Sequence, residues 1–452
     1  MGEQAPPTLL QLALQKLWME ETLLISNLED IPVGLFPTMF EDAITDKCTN
    51  ILRALVPVWP FPCLPAGALI KDLETLKALL DGLDALITEK VHSSFTKRTR
   101  KLRVLDLTDV CLDFQSFRAL KRSVKICPKS GGKKRFVVVT DIDVKKKASF
   151  SEWHTYLLQW AQQQNDSVHL CCRKLKSWNS PVFTAERIFK MVDADCIREL
   201  QLSLWQFESM PHLFPYLGQM RNLHTLVLKK IQKPFRLAAS VKQELISLVL
   251  SQFNKLPCLQ NLYISYCYFL AGCFEEWPRR LKIPLETLTI TGCWFSPSDL
   301  GYLSQSLYLC ELRHLKLSDV ELSHLCLKPL VVLFERITST LQILELEECG
   351  MRDRHFNAIG PALSQCSQLT RVNFYHNYIS LHVFKNLLHH TAKLSKLTHE
   401  MYPVPLECHD FITNLRDRFR QLCPEVLDIL RAKRQPTNVF FATRTDCVRF
   451  QP

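Results

Sequence analysis

The nine residues 285–293, LETLTITGC, show the pattern from which the fold can be predicted. Their apolar side chains Leu285, Leu288 and Ile290 are spaced i, i+3, i+5, and Cys293 follows three positions later. A half-buried strand would alternate at i, i+2, i+4, whereas an amphipathic helix would place apolar residues at i, i+3, i+4 and i+7. The stretch matches neither pattern, and it is instead typical of one strand-and-turn element of an internal repeat.

Further segments share this frame of apolar-x-x-apolar-x-apolar, followed after two residues by Cys, Asn or an apolar residue. They begin at Leu102, Ile197, Leu223, Leu259, Leu312, Leu341 and Leu369. From Ile197 to Leu369, with Leu285 included, successive starts are 26, 36, 26, 27, 29 and 28 residues apart. Segments of helical period lie between the frames. The pattern predicts an α/β leucine-rich-repeat fold with a parallel sheet, in which strand-turn-helix units stack because one unit cannot cover its own apolar faces.

The polar residue at the end of the frame has a predicted structural role. Cys267, Cys293, Cys349 and Asn377 stand where the chain turns sharply after a strand. A buried side chain there can form a hydrogen bond with the backbone of the neighbouring repeat. Without that bond, a backbone N–H or C=O group would be buried unpaired, at a desolvation cost of roughly 1–3 kcal/mol. We therefore expect these residues to stabilise turns and to have no redox or metal role.

Composition indicates a globular chain of 452 residues, with 47% hydrophobic residues and 12 glycines. Its 18 cysteines are scattered within repeat frames, the start of the sequence has no signal-peptide pattern, and no apolar run reaches the ~18 residues of a membrane span. These observations predict reduced thiols, a cytoplasmic location that extends to the nucleus, and no membrane partner.

The net charge of +11 is concentrated in one segment. Residues 97–147 contain 16 Lys and Arg against 5 Asp, a surplus of 11. The densest basic clusters are Lys133, Lys134 and Arg135, and Lys145, Lys146 and Lys147. A solvated basic face, an acidic protein partner, a nuclear-import signal and nucleic acid are the alternatives. Nucleic acid is the least favoured, because the aromatic residues of the segment follow apolar periods and do not alternate with the lysines.

Familiar catalytic and metal motifs are incomplete. PKSGGKKR lacks the first glycine of a phosphate-binding loop, where Cys127 stands, and it has Lys134 in place of the magnesium-binding Ser or Thr. HEMYP at His399 has Pro403 where a zinc protease has its second histidine, and no CxxC pair occurs. The sequence therefore predicts no enzyme activity, no metal site and no cofactor.

The first 95 residues lack the repeat frame and have helical periods, which predicts a helical cap on the open end of the solenoid. Two short patterns in this segment are more specific than a helical cap requires. Thr8-Leu9, Ala13 and Leu17 share one helical face, with spacing (Thr/Ser/Pro)-Leu-x3-small-x3-aliphatic. The second pattern has a proline at a helix start and contains Ile31, Pro32, Leu35 and Met39.

The chain resembles the PRAME family of leucine-rich-repeat proteins along nearly its whole length. The resemblance rests on phrases such as APPTLLQLALQKL, IPVGLFPTMF, VWPFPCLPAGALIKDLETLKALLDGL, VHLCC and LSQCSQLT. It implies a ribonuclease-inhibitor-like horseshoe. For some members it also implies a role as substrate receptor of a cullin-two RING ubiquitin ligase through elongins B and C. Thr8, Leu9, Ala13 and Leu17 match the elongin box, with Ala in place of its usual Cys. Ile31, Pro32, Leu35 and Met39 match the cullin-two box.

Two other functions compete with that one. LKALL, with Leu76, Leu79 and Leu80, has the LxxLL spacing of helices that bind nuclear receptors. The family resemblance implies transcriptional repression for at least one member, so a nuclear co-repressor is one alternative, and a repeat scaffold is another. In a scaffold or substrate receptor, the outward strand positions would contact an unknown protein. These positions are Tyr263, Ser265, Thr289, Thr291, Lys316, Ser318, Glu345, Glu347, Asn373 and Tyr375.

The sequence divides into four predicted segments. Residues 1–95 form the helical cap, 96–195 irregular repeats with the basic segment, 196–425 regular repeats, and 426–452 a C-terminal cap or tail.

Overall fold

The computed structural model describes most of the chain. It covers residues 16, 18, 20–92, 101–109, 136–144, 150–164, 167–178, 188–231, 239–268, 272, 278–408, 418–419, 421, 424–433, 438–442 and 447–450. The chain forms two compact units: unit 1 contains residues 1–175 and 187–197, and unit 2 contains 176–186 and 198–452. The longer segment of unit 2 begins at 198, whereas the regular repeats are predicted to begin at 196. The four predicted segments stay predictions.

Unit 1 combines helices with a short parallel sheet. Its helices are α1 (Glu21–Ser26), α2 (Phe36–Thr45), α3 (Thr49–Leu55), α4 (Leu73–His92) and α5 (Glu152–Gln163). Its strands are β1 (Cys63–Pro65), β2 (Val104–Asp106), β3 (Phe136–Val144) and β4 (Val168–Trp178), the last of which runs on into residues of unit 2. β1 pairs with β2 and β2 with β3, all in parallel.

The N-terminal part of unit 1 has a core around Trp59. This indole is 1% exposed, meets Phe36 and Phe40 edge-on at centroid distances of 6.1 and 5.4 Å, and donates its N–H to the carbonyl of Cys63 at 3.0 Å. Gly82 lets α4 approach α3 closely, because a Cβ there would lie 2.5 Å from the backbone carbonyl oxygen of Arg53. The first 95 residues are thus mainly helical in their described part, but β1 adds a strand that has no repeat frame in the sequence.

Unit 2 is built from repeated strand-and-helix elements. Its strands are β5 (Glu199–Ser203), β6 (Thr225–Lys229), β7 (Asn261–Ser265), β8 (Thr287–Thr291), β9 (His314–Ser318), β10 (Ile343–Glu347), β11 (Arg371–Asn373), β12 (His399–Pro403), β13 (Asn438–Ala442) and β14 (Cys447–Phe450). Its helices are α6 (Phe214–Leu217), α7 (Ala239–Ser251), α8 (Pro297–Gln305), α9 (Lys328–Arg336), α10 (Asp353–Leu363), α11 (Leu381–Thr391) and α12 (Pro424–Lys433). Strands β5 to β13 pair in chain order and in parallel, and β14 pairs antiparallel with β13.

The repeat frame predicted eight strands of the chain, β2 in unit 1 and β5 to β11 in unit 2, and all eight are present. Each begins two residues after the first apolar residue of its frame, as β8 begins at Thr287 after Leu285. The core positions of β10, Leu344 and Leu346, are both 0% exposed. The fold class, an α/β leucine-rich-repeat solenoid with a parallel sheet, is confirmed.

The polar residues at the frame ends stabilise the turns as predicted. The thiols of Cys267 and Cys349 donate to carbonyls of the preceding repeat, at Leu228 (3.6 Å) and Leu317 (3.2 Å). Asn377 donates to the carbonyl of Leu346 at 2.7 Å and accepts from the N–H of Cys349 at 3.1 Å. Burial raises the pKa of Cys267 and Cys349 to about 12, so these thiols are poor nucleophiles.

The expectation of reduced thiols throughout is wrong at Cys196. Twelve cysteines of the described residues are free, among them Cys171 and Cys172, but Cys196 is disulfide-bonded. Sequence spacing gave no sign of this bond, because a disulfide is decided by the approach of two cysteines in the fold.

A row of left-handed residues follows the strands of unit 2. Leu204, Lys230, Tyr266, Gly292, Asp319, Glu348 and His376 all have φ between 50° and 60°. The backbone N–H of Tyr266 donates to the carbonyl of Thr291 at 2.7 Å, and that of Asp319 to Glu347 at 3.0 Å. Each such bond joins one repeat to the next, which offsets the roughly 1–2 kcal/mol that this backbone conformation costs a residue with a Cβ.

Among the described helices, none combines the length and the apolar composition of a membrane-crossing segment.

Candidate protein-binding surfaces

The predicted cullin-two box forms a turn on the surface of unit 1. Pro32 precedes a 3-10 turn, Val33–Leu35, in which the N–H of Leu35 donates to the carbonyl of Pro32 at 2.9 Å, and α2 follows directly. Pro32 is exposed and Leu35 is half-buried. Ile31 and Met39, at 8% and 0% exposure, belong to the core. The four residues thus divide into two that fix the turn and two that a partner can reach.

The predicted elongin box lies outside the described residues, since Thr8, Leu9, Ala13 and Leu17 all do. The same holds for the basic clusters Lys133, Lys134 and Arg135, and Lys145, Lys146 and Lys147.

The LxxLL leucines are core residues of unit 1. Leu76, Leu79 and Leu80 lie on α4, and each is 0% exposed. A receptor-binding helix must present these three side chains to a groove on its partner. In this structure α4 would have to leave its packing to do so, and the arrangement does not favour the co-repressor alternative.

The outward strand positions of unit 2 form a half-buried polar face. The pairing register aligns Tyr263, Thr289, Lys316, Glu345 and Asn373 in one row across β7 to β11. A second row contains Ser265, Thr291, Ser318 and Glu347, and Tyr375 follows β11. Of the ten predicted residues, Ser318 and Asn373 are buried at 9% and 6% exposure and the others are half-buried.

An ion-pair network joins three repeats on this face. The Nζ of Lys316 lies 2.7 Å from Glu345 Oε2 and 3.8 Å from Glu347 Oε2. Asn373 donates from Nδ2 to Glu347 Oε2 at 3.2 Å, and His376 Nδ1 lies 3.9 Å from Glu347 Oε1. One ammonium therefore faces two carboxylates, which leaves this part of the face negative overall.

One group of potential metal ligands lies in unit 1, where the sequence predicted none. Ligand atoms of His169, Asp193 and Cys196 lie within 4.8 Å of one another. Zinc and similar ions bind a cysteine as thiolate. Because Cys196 is disulfide-bonded, its sulfur cannot serve as one, and the donor set does not fit a metal site.

Sequence reasoning missed the residues just beyond the strands. Trp294 is 74% exposed and Tyr268 43% exposed, and each stands three positions after the end of its strand. The frame itself gave the signal, because any side chain at a fixed offset from it recurs on one edge of the sheet.

The chain is similar to known protein families along nearly its whole length. The description "PRAME N-terminal domain" matches residues 6–115, and "PRAME C-terminal domain" matches residues 136–450. The chain belongs to the PRAME family. PRAME relatives align with it almost end to end: mouse Oogenesin-3 is 45% identical, over 99% of this chain and 92% of its own, and human PRAME family member 12 is 39% identical, over 98% and 94%.

A solved structure, that of the Rad7 and Elc1 complex in yeast, aligns with 88% of this PRAME-family chain and 93% of its own at 13% identity. The TM-score of 0.37 is too low to support an argument about function. Family and repeat architecture together identify the chain as a protein-binding module.

Proposed function

We propose that this PRAME-family protein is the substrate-recognition subunit of a cullin-two RING ubiquitin ligase, with elongins B and C as adaptors. The observation that supports the proposal is the arrangement of the cullin-two box. Ile31 and Met39 are packed in the core, whereas Pro32 and Leu35 lie on the short turn between them. Such a turn offers a preorganised contact, which lowers the entropic cost of binding.

The two boxes have separate tasks in this proposal. Leu9 enters a pocket on elongin C, while Pro32 and Leu35 contact the cullin. Buried apolar anchors of this kind often cost at least ~2 kcal/mol of binding free energy when truncated, which is more than an order of magnitude in affinity. The polar strand face of unit 2 then remains available for the protein that is to be ubiquitinated.

Co-precipitation of two variants tests this division. Leu9→Ser should lose elongins and cullin together. The pair Pro32→Ala and Leu35→Ala should lose cullin and retain elongins. Val33→Ala is the matched control, since Val33 lies in the same turn at 42% exposure and is not part of the box. It should retain both partners.

A different pattern would contradict the ligase role. If the unmutated chain recovers no ligase subunit and both variants merely lower the melting temperature, the boxes are cap residues only. The protein would then be a repeat scaffold.

For localisation we propose the cytoplasm and the nucleus, with the basic segment as import signal. Imaging of the variant Lys133→Ser, Lys134→Ser, Arg135→Ser tests this proposal. An unchanged nuclear fraction would mean that the cluster is only a solvated basic surface.

A further inference from the structure

The loops after strands β7 to β9 place two aromatic and two acidic side chains side by side. Tyr268 and Trp294 stand three residues beyond the ends of β7 and β8, and Glu321 has the same offset from β9. Asp319 directly follows β9. Because the three strands are neighbours in register, these loops lie on consecutive repeats, roughly 4.8 Å apart at the strands. We name Tyr268, Trp294, Asp319 and Glu321 the strand-end patch.

A brace of side chains underlies the patch. The ring of Tyr266 lies over Gly292, where a Cβ would overlap it, and the Tyr266 hydroxyl donates to the carboxylate of Asp319. Burial, and then the negative charge of Asp319 and this hydrogen bond, raise the pKa of Tyr266. Lys230 Nζ lies over the Tyr266 ring, 5.6 Å from its centre. The brace joins the repeats of β6 to β9 and fixes Asp319 before any partner arrives.

The exposed aromatic side chains of the patch indicate a binding surface for a partner. Trp294, at 74%, is as exposed as any large apolar side chain of the described residues, and Tyr268 is exposed to 43%. Tryptophan and tyrosine are enriched among the residues that dominate binding energy at protein interfaces. The exposed pair therefore resembles an unoccupied contact surface more than a packing element.

The charge of the patch selects the partner. Asp319 and Glu321 are both exposed. Hydrogen bonds from Ser323, and the nearby charges of His324 and Arg352, lower the pKa of Glu321 and keep its carboxylate ionised. The sign is opposite to the net charge of +11 of the whole chain. Asp319 and Glu321 present like charge to an acidic peptide, a nucleic acid or an anionic membrane, while a cation can stack on the indole and pair with the carboxylates.

We propose that the strand-end patch binds a lysine- and arginine-rich segment of a protein partner. One cationic side chain lies over Trp294, flanked by Tyr268, and the next pairs with Asp319 and Glu321. The inference deepens the proposed function, since in a ligase this segment would belong to the substrate. The contact itself needs no elongin or cullin.

The test uses the purified full-length chain on an array of random-sequence peptides. The tightest binders are then labelled and titrated in solution against the variants. Trp294→Ala removes the exposed indole. Leu307→Ala is its matched control, because Leu307 is also 74% exposed but lies in the 3-10 turn Leu307–Leu309 that precedes β9. Asp319→Asn with Glu321→Gln removes the charge and keeps the oxygen acceptors that Tyr266 and Ser323 use.

The bound peptides should be enriched in Lys and Arg, and their affinity should fall as salt rises. Trp294→Ala should lower the affinity about tenfold or more, the acid-to-amide pair should weaken both affinity and salt dependence, and Leu307→Ala should leave binding intact. The proposal is overturned if no peptide binds, if binders lack basic enrichment, or if Trp294→Ala and Leu307→Ala behave alike. Elongin and cullin recovery by Trp294→Ala should equal that of the unmutated chain, so this outcome and that of the ligase test are read separately.

Discussion

The sheets of the two units share a parallel architecture but differ in what covers their outward faces. In unit 1 the outward positions Cys63, Val104, Val137 and Val139 are 4%, 3%, 8% and 2% exposed, and they form one apolar cluster with Cys171 and Cys196. In unit 2 the strands mostly alternate between buried and half-buried residues, and the outward side chains of the predicted set are largely polar. At these positions the first sheet is core on both faces, whereas the second has one face open to a partner across β7 to β11.

The repeat frame therefore determines only the inward-facing half of each strand. Leucines and isoleucines of the frame face the core in both units, whereas the residues between them decide the function of the other face. Apolar residues there make unit 1 structural at these positions. Polar residues there, together with the exposed aromatic residues of the adjoining loops, make unit 2 the part of the chain suited to reading a partner.

The largest effect is expected from a charge in the leucine core of unit 2. Leu344→Asp should unfold the neighbouring repeats, because a buried unpaired charge costs several kcal/mol against a total stability of about 5–15 kcal/mol. Leu344→Met, which nearly conserves volume, should cost less than ~1.5 kcal/mol. Thermal unfolding followed by circular dichroism measures both, and a soluble Leu344→Asp protein with an unchanged melting curve would refute the repeat assignment.

A charged residue on the outward face should lower the stability of unit 1 much more than that of unit 2. Val139 and Thr289 both occupy the second outward position of their strands, the former through its register with Asp106. Val139→Asp should destabilise by several kcal/mol, because its side chain is buried. Thr289→Asp should cost little, since half-buried surface positions mostly change stability by under ~1 kcal/mol. Equal losses in chemical denaturation would mean that the outward face of unit 2 is also core.

A smaller loss is expected at Gly292, beneath the Tyr266 ring. Gly292→Ala combines the roughly 1–2 kcal/mol cost of a left-handed alanine with displacement of the ring. Gly350→Ala has the same backbone cost, at φ 62°, but its Cβ would meet the flexible end of Glu321 at 2.7 Å and the Cβ of Ser323 at 3.3 Å, and no part of Tyr266 is among its nearest atoms. A double-mutant cycle with Tyr266→Ala should therefore show coupling for Gly292 and almost none for Gly350. Absence of coupling at Gly292 would mean that the Tyr266 ring does not brace the strand-end patch.

The smallest effect concerns pH. Burial is the main cause that lowers the pKa of His314, His355 and His390 in unit 2. Below about pH 6.5 the unfolded chain then binds more protons than the folded one, so the free energy of unfolding should fall as pH falls. His314→Gln removes one such group and should flatten that dependence in denaturant titrations between pH 7.5 and 5. A dependence that is identical in the variant would contradict the shift at His314.

The repeat frame and its strands were predictable from the sequence because the spacing of the leucines follows directly from which positions are buried. It predicted the role of Cys267, Cys349 and Asn377 for the same reason. It missed β1, β3 and β12 to β14, which depart from the frame. In β12, for example, Glu400 occupies a core position at 0% exposure, where the frame has a leucine.

The binding surfaces were only partly predictable. Polar outward residues follow from strand alternation, and Pro32 with Leu35 follow from their pattern. The exposure of Trp294 and the burial of Leu76, Leu79 and Leu80 depend on which elements pack together, and a local pattern does not contain that information. The left-handed row was also hidden, because residues such as Leu204, Lys230 and Glu348 seldom adopt this conformation.

The row of left-handed residues restricts how a gene for such a protein can change in length. From Leu204 to Glu348, each left-handed residue donates one hydrogen bond to the next repeat at the same place, so duplication or loss of a whole repeat there leaves each remaining bond with an equivalent partner. Insertion of a single codon within a strand would instead shift the register and turn core leucines outward. Viable length variants of unit 2 should therefore differ by entire repeats or by loop segments, and hardly ever by one residue in a strand.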